Sequence, residues 1–178
     1  TDHVKHSIGG FGGHALRRAT HMAMAIIPIV YYSRGHDIAD YVGLNPEQLV
    51  SSIIIGIMIL EALRLKLGIV IIGQREYEAQ QISALAWGGF AVALALLISP
   101  DDGKSGIEAG LYGIPIILGL TFVDPVMGEI KRKKDDLKMA IYIGLFTSYA
   151  VWLGCHLWIG TPILASLLLA PLTVAGEV

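Results

Sequence analysis

Apolar residues run along this chain in long unbroken blocks, separated by short polar stretches that carry nearly all of the charge. The blocks are Ala15–Tyr32, Leu49–Leu63, Ile82–Ser99, Ile107–Val123, Met139–Ile159 and Pro162–Ala175. Most approach the roughly 20 residues that a helix needs to cross the hydrocarbon of a bilayer. The pattern predicts an all-α integral membrane bundle of about six transmembrane helices. It leaves no room for a soluble domain, so residues 1–178 are expected to form one helical membrane domain. Composition agrees: 54% of the 178 residues are apolar, against about 45–50% in soluble domains.

Charge gives the orientation. Of thirteen Lys and Arg residues, Lys5, Arg17, Arg18, Arg64, Lys66, Arg75, Lys131, Arg132, Lys133, Lys134 and Lys138 fall on one side of the expected spans, and only Arg34 and Lys104 on the other. The positive side of a membrane protein is normally cytoplasmic, which places both termini there. Tyr31, Tyr32, Tyr112 and Trp158 would then mark the outer interface, with Tyr77, Trp87 and Tyr142 towards the inner one. The first block lacks a small-residue cleavage motif and does not read as a signal peptide. A net charge of −2 argues against nucleic acid as a partner. The single cysteine, Cys155, lies within a span and implies no disulfide.

Four charged clusters fall on the positive face. In Arg17-Arg18-Ala-Thr-His21, helical spacing lets all three functional side chains face one way. The guanidinium forks suit phosphate oxygens, and the imidazole suits proton transfer. Glu61-Ala-Leu-Arg64-Leu-Lys66 closes the second span, where Glu61 and Arg64 can pair at i,i+3 although the helix end disfavours a carboxylate. Gln74-Arg75-Glu76-Tyr77-Glu78 reads as an interfacial stretch before the third span. In Asp124-Pro125-Val-Met-Gly128-Glu129-Ile-Lys131, Pro125 is expected to end the fourth span at Asp124. Asp124 and Glu129 could then share Mg²⁺ with substrate phosphates.

Other features carry less. Gly9-Gly10-Phe-Gly12-Gly13 lacks the Lys-Ser/Thr of a phosphate-binding loop and reads as a flexible lead-in. His3 and His6 lack partners at metal-ligand spacing. His156 is expected to hydrogen-bond between helices. No Ser-His-Asp or paired-cysteine pattern is present.

The stretch LRRATHMAMAIIPIVYY, with two basic residues three and four positions before a histidine at the start of the first span, resembles the polyprenol kinase family of dolichol kinases, phytol kinases and CTP-dependent diacylglycerol kinases. EALRLK is similar to that family's Glu-x-x-Arg element, QREYE to its Arg-x-x-Glu element, and VDPVMGEIKRK to its Asp-containing loop. LLLAPLTVAGE is similar to its C-terminal small-residue helix, so the resemblance covers about the whole chain. It implies a plasma-membrane phosphotransferase that uses CTP or another nucleoside triphosphate, with Mg²⁺, to phosphorylate an isoprenoid or related lipid alcohol. His21 and Glu61 would act on the alcohol. Arg17, Arg18, Arg64, Arg75 and Lys131 would hold phosphates or nucleotide, and Asp124 and Glu129 the metal. The family's Lys-Thr-x-Glu-Gly element is missing after the fourth cluster, where KRKKDDLK stands instead. That departure supports an alternative, a non-catalytic subunit whose partners are other membrane proteins. A transporter is a weaker third reading.

Overall fold

The computed structural model describes residues 7–176, so His3, Lys5 and His6 lie outside the described part. The described residues form seven α-helices: α1 Gly10–Ala23, α2 Ile26–Tyr41, α3 Pro46–Leu67, α4 Ala84–Ile98, α5 Gly113–Lys134, α6 Leu137–Ile159 and α7 Ile163–Ala175. Short 3₁₀ turns stand at Glu76–Ala79 and Gly106–Gly110. Among the described residues there is no strand beyond one isolated bridge between Ser7 and Arg75. Among the described residues three helices, α3, α5 and α6, are long and apolar enough to cross a membrane, and α4 and α7 are shorter apolar helices.

Two expected spans differ from the helices formed. Ala15–Tyr32 is two helices, broken at Met24–Ala25. Pro28 lacks the N–H that would reach the Met24 carbonyl in a continuous helix; the Ile27 amide takes that carbonyl instead, at 3.1 Å, in a tighter turn. Conversely, Pro125 does not end the fourth span. Helix α5 runs through it to Lys134, so Asp124 sits within a helix and not at its end. The preference of a residue before proline for extended backbone is a bias that a long, packed helix overrides.

The chain divides into two compact units. Unit 1 holds the described residues up to Ala23 together with Gly35–Leu97. Its α3 begins at a capping box, with the Asn45 side chain accepting from the Gln48 amide and the Gln48 side chain from the Asn45 amide. It stops at Gly68, in the left-handed conformation that glycine adopts without penalty. The outer surface of α3 is apolar, with Ile53, Ile55, Ile59, Leu60 and Leu63 exposed. Its buried residues are Pro46, Glu61 and Arg64. Apolar side chains outside and charges inside suit a lipid surround and not water.

The glycine-rich segment is not a loose lead-in. A Cβ on Gly13 would lie 2.0 Å from the Ile8 carbonyl oxygen, which accepts the Gly73 amide at 3.0 Å. Gly13 thus allows the start of α1 to dock closely against the loop after α3.

Unit 2 holds Met24–Arg34 and the chain from Ile98. Here α5, α6 and α7 pack around two apolar clusters, Ile114–Cys155–Ile159 and Val123–Met127–Val174. Gly113, Gly119 and Gly144 let Tyr32, Thr173 and Met127 approach backbone closely, the small-residue packing common between membrane helices. Hydroxyls complete the backbone. Pro115 and Pro171 cannot donate to the carbonyls of Leu111 and Leu167. Thr161 Oγ1 donates to Leu111 O at 2.8 Å, and Tyr149 Oη to Leu167 O at 3.4 Å. Ser148 Oγ donates to Ala170 O at 2.7 Å. His156 makes a local contact, Nδ1 to Thr161 O at 2.7 Å, across the α6–α7 corner and not between distant helices.

Candidate functional site

The charged residues of unit 1 converge on the N-terminus of α4. Ser83 caps that helix, its Oγ accepting the Ala86 amide at 3.2 Å. Glu61 accepts the Ser83 amide at 2.5 Å, and Glu78 accepts the Ala84 amide at 3.3 Å. Two carboxylates therefore face the positive end of a helix, where the macrodipole favours them. The sequence assigns Glu61 to the unfavourable end of α3. The fold gives it the favourable end of α4.

Each carboxylate has an arginine. Arg64 grips Glu61 through two bonds, Nε to Oε2 at 2.9 Å and Nη2 to Oε1 at 2.8 Å. It also donates to the carbonyls of Ile69 and Gln81, at 2.8 and 2.9 Å. The fork is thus engaged on four acceptors, and it fixes both ends of the 69–81 loop against α3. Arg17 donates to Glu78 Oε1 at 2.5 Å, joining α1 to the same loop. Glu78 is only 2% exposed, whereas the Arg17 side chain is 26% exposed.

The second couple opens onto a cleft of about 570 Å³ whose lining includes Arg17, Glu78, Tyr77, Gln81, Leu65 and Trp87. Glu78 Oε1 also takes the Arg75 amide at 3.3 Å, while Oε2 carries the single long contact to Ala84 among the described bonds. The Arg75 guanidinium turns to Tyr77, bonding its hydroxyl and lying 5.7 Å from the ring centre. Arg18 and His21 are half-buried on α1, and neither is among the described residues lining the cleft.

The expected metal residues stand on α5 in unit 2. Asp124 and Glu129 are five residues apart, so they point about 140° away from one another around the helix. Glu129 is paired with Arg132 at 2.6 Å and Lys133 at 3.0 Å. Among the described residues no three His, Cys, Asp or Glu side chains come together to hold a metal ion. Lys131 is half-buried near the end of α5, its carbonyl taking the Asp135 amide.

The sequence places Glu78 in the third charged cluster and in the QREYE element without giving it a role of its own, although it is the most deeply buried carboxylate here. The available signal was spacing: Arg75-x-x-Glu78 is a capping-box interval, in which the side chain three residues on returns to the first amide.

No family model matches this chain, and no curated protein or solved structure is significantly similar to it.

Proposed function

We propose that this protein is a membrane lipid-alcohol kinase of the polyprenol kinase type, moving a phosphoryl group from CTP or another nucleoside triphosphate to a polyprenol or related alcohol. In this reading it crosses the plasma membrane about six times, with both termini and the Lys- and Arg-rich loops in the cytoplasm. The observation that carries the reading is the Arg17–Glu78 couple in a cleft lined by both charged and apolar side chains. An amphiphile with a small polar head needs both kinds of group.

The acid–base role passes from Glu61 to Glu78. Glu61 is held by Arg64 and Ser83, whereas Glu78 lines the cleft and Oε2 can accept a hydroxyl proton. The alcohol oxygen attacks the γ-phosphorus, the bond to the bridging oxygen breaks, the nucleoside diphosphate leaves, and the proton passes to Glu78. Arg17, with Arg18 and Arg75 on the same unit, supplies positive charge for phosphate oxygens, which phosphoryl transfer needs more than covalent chemistry. Mg²⁺ would enter with the nucleotide as part of the substrate; Asp124, on α5 of unit 2, enters no step at this cleft and is tested separately. His21, on α1 of unit 1, remains a candidate for orienting the acceptor, and Lys131, on α5 of unit 2, is a separate candidate for a phosphate contact.

The test is transfer of γ-phosphate label from CTP, ATP, GTP or UTP to a pool of polyprenols and diacylglycerol by the purified protein. Glu78→Gln is expected to lower the rate by about 100-fold or more, the usual worth of a general base. Asp124→Asn and His21→Ala run beside it, with each variant's unfolding transition recorded to separate chemistry from folding.

A second reading, a non-catalytic membrane subunit, is favoured by the self-satisfied pairs Glu61–Arg64 and Glu129–Arg132–Lys133. No label from any donor, in folded protein that co-migrates with partners in mild detergent, would decide for it.

A further inference from the structure

Helix α1 is amphipathic in the reverse sense to a helix in water. Phe11, Ala15, Leu16, Ala19 and Met22 fall within about 140° of its circumference. All are exposed, Phe11 by 78%. His14, Arg17, Arg18 and His21 occupy the other half and are half-buried. In water the apolar stripe would face the protein and the charges the solvent. With 14 residues the helix is about 21 Å long, short of the roughly 30 Å of hydrocarbon that a span must cross.

The stripe continues into the loop after α3, where Leu67, Ile69, Ile71 and Ile72 are exposed. A Cβ on Gly9 would lie 3.1 Å from Ile72 Cγ2, and one on Gly73 3.8 Å from Leu16 Cδ2, so side chains of each segment reach the backbone of the other. An exposed apolar patch of this extent marks an interaction surface.

The backbone of the loop indicates the partner. The amides of Gly68 and Ile69 bond to the carbonyls of Leu65 and Arg64, and those of Gly73 and Gln74 to the carbonyls of Ile8 and Ile71. The Ile71 amide donates to Gln74 Oε1 at 3.1 Å, and the Ile69 carbonyl accepts from Arg64 Nη1 at 2.8 Å. Irregular backbone is kept out of lipid because its polar groups find no partner there. Much of that cost is removed here, while the side chains beside it are apolar. Position agrees: α3 is long and apolar enough to cross a membrane and ends at Leu67, so the loop begins where the crossing ends. Lys66, Tyr77 and Trp87, exposed on the same unit, are of the types that sit at headgroup level.

We propose that the outer face of α1 and the 67–72 loop form one surface seated in phospholipid acyl chains at the bilayer boundary, so that α1 lies on the membrane and adds no crossing. This rests on α3 crossing the membrane and is independent of the kinase reading, since no turnover enters its test.

The experiment is nitroxide scanning of the full chain in phosphatidylcholine nanodiscs, on a Cys155→Ala background that removes the single native thiol. Labels at Phe11→Cys, Leu16→Cys, Met22→Cys and Ile72→Cys are compared with Ile55→Cys, exposed midway along α3, and Glu76→Cys, exposed in the charged turn. The four surface positions should collide more with oxygen than with a water-soluble nickel chelate, at a depth of about 5–10 Å. Ile55→Cys should lie deeper, and Glu76→Cys should show the opposite preference. If a variant loses its unfolding transition, Ala15→Cys or Ala19→Cys on the same face takes its place.

Nickel access at Phe11 and Leu16 equal to that at Glu76 would overturn the proposal, leaving the surface in water. Low access to both reagents would mean that another protein covers it, and dipolar broadening between labels that a second copy does; either result overturns the lipid assignment. A depth equal to that of Ile55 would return α1 to a span.

Discussion

The two units solve the same problem, holding helices together where apolar surface gives no driving force between them, by opposite means. In unit 1 only 11% of the α3 span is buried, and its buried side chains include an acid and a base. In unit 2 the α5 span is 44% buried, by glycines, aliphatic residues and hydroxyls. Unit 1 is organised by charge placed on a loop; unit 2 is organised by close approach of backbones. The difference has a chemical consequence. Charges kept inside unit 1 stand beside a cleft and can act on a ligand, whereas the uncharged groups of unit 2's core have little to offer beyond packing.

The sharpest way to break the comparison is Arg64→Met. It strands Glu61 and leaves the carbonyls of Ile69 and Gln81 without their donor. Removing one partner of a buried pair costs about 3–5 kcal/mol. We expect a loss of that order in denaturant-titrated unfolding in detergent, with faster amide exchange through residues 69–83. Adding Glu61→Met should restore part of the stability, since no buried charge is then left alone, but not the loop protection. A loss below about 1 kcal/mol in the single variant would mean that the couple is solvated and that unit 1 is not held by charge.

The second test attacks unit 2. A Cβ on Gly113 would lie 2.2 Å from the Tyr32 hydroxyl oxygen and 3.0 Å from its ring. A rigid ring cannot yield as a flexible side chain can, so Gly113→Ala should destabilise by about 1–3 kcal/mol. The same unfolding titration reads it, and Gly154→Ala, where nothing lies within 4 Å of the new atom, is the control. Equal behaviour of the two would deny that close approach holds unit 2.

These interactions differ in how far the sequence discloses them. The block Met139–Ile159 lies inside α6, Leu137–Ile159, and Pro162–Ala175 nearly coincides with α7, Ile163–Ala175, because an unbroken apolar run flanked by Asp136 and Gly160 has one helical solution. The Glu61–Arg64 pair is legible because three residues on a helix fix the distance. Arg17–Glu78 is not, since the partners are 61 residues apart and meet only when the loop after α3 folds back on α1. Prolines mislead in both directions. Pro28 stands just after a helix break and Pro125 where a helix continues; the difference is a property of packing and not of local pattern. Gly13 reads as looseness in sequence, yet it marks contact.

The finest discrimination concerns those carbonyls. Thr161→Val removes the 2.8 Å bond to Leu111 O while keeping the side chain's shape, and both residues are buried. Hydrogen bonds between membrane helices are worth about 0.6 kcal/mol on average and up to about 1.7. With a fully buried acceptor that proline cannot satisfy, Thr161→Val should fall in the upper half of that range. Tyr149→Phe removes a longer bond, 3.4 Å, from a half-exposed position, and should cost less than half as much. The order of the two matters more than either size. If Tyr149→Phe is the more damaging, its ring edge rather than its hydroxyl holds α7, and proline-freed carbonyls are then not what distinguishes unit 2. If the order holds, unit 2 is stabilised by many bonds of this small kind. Unit 1 then depends on two strong couples, one of which can be spared for a ligand.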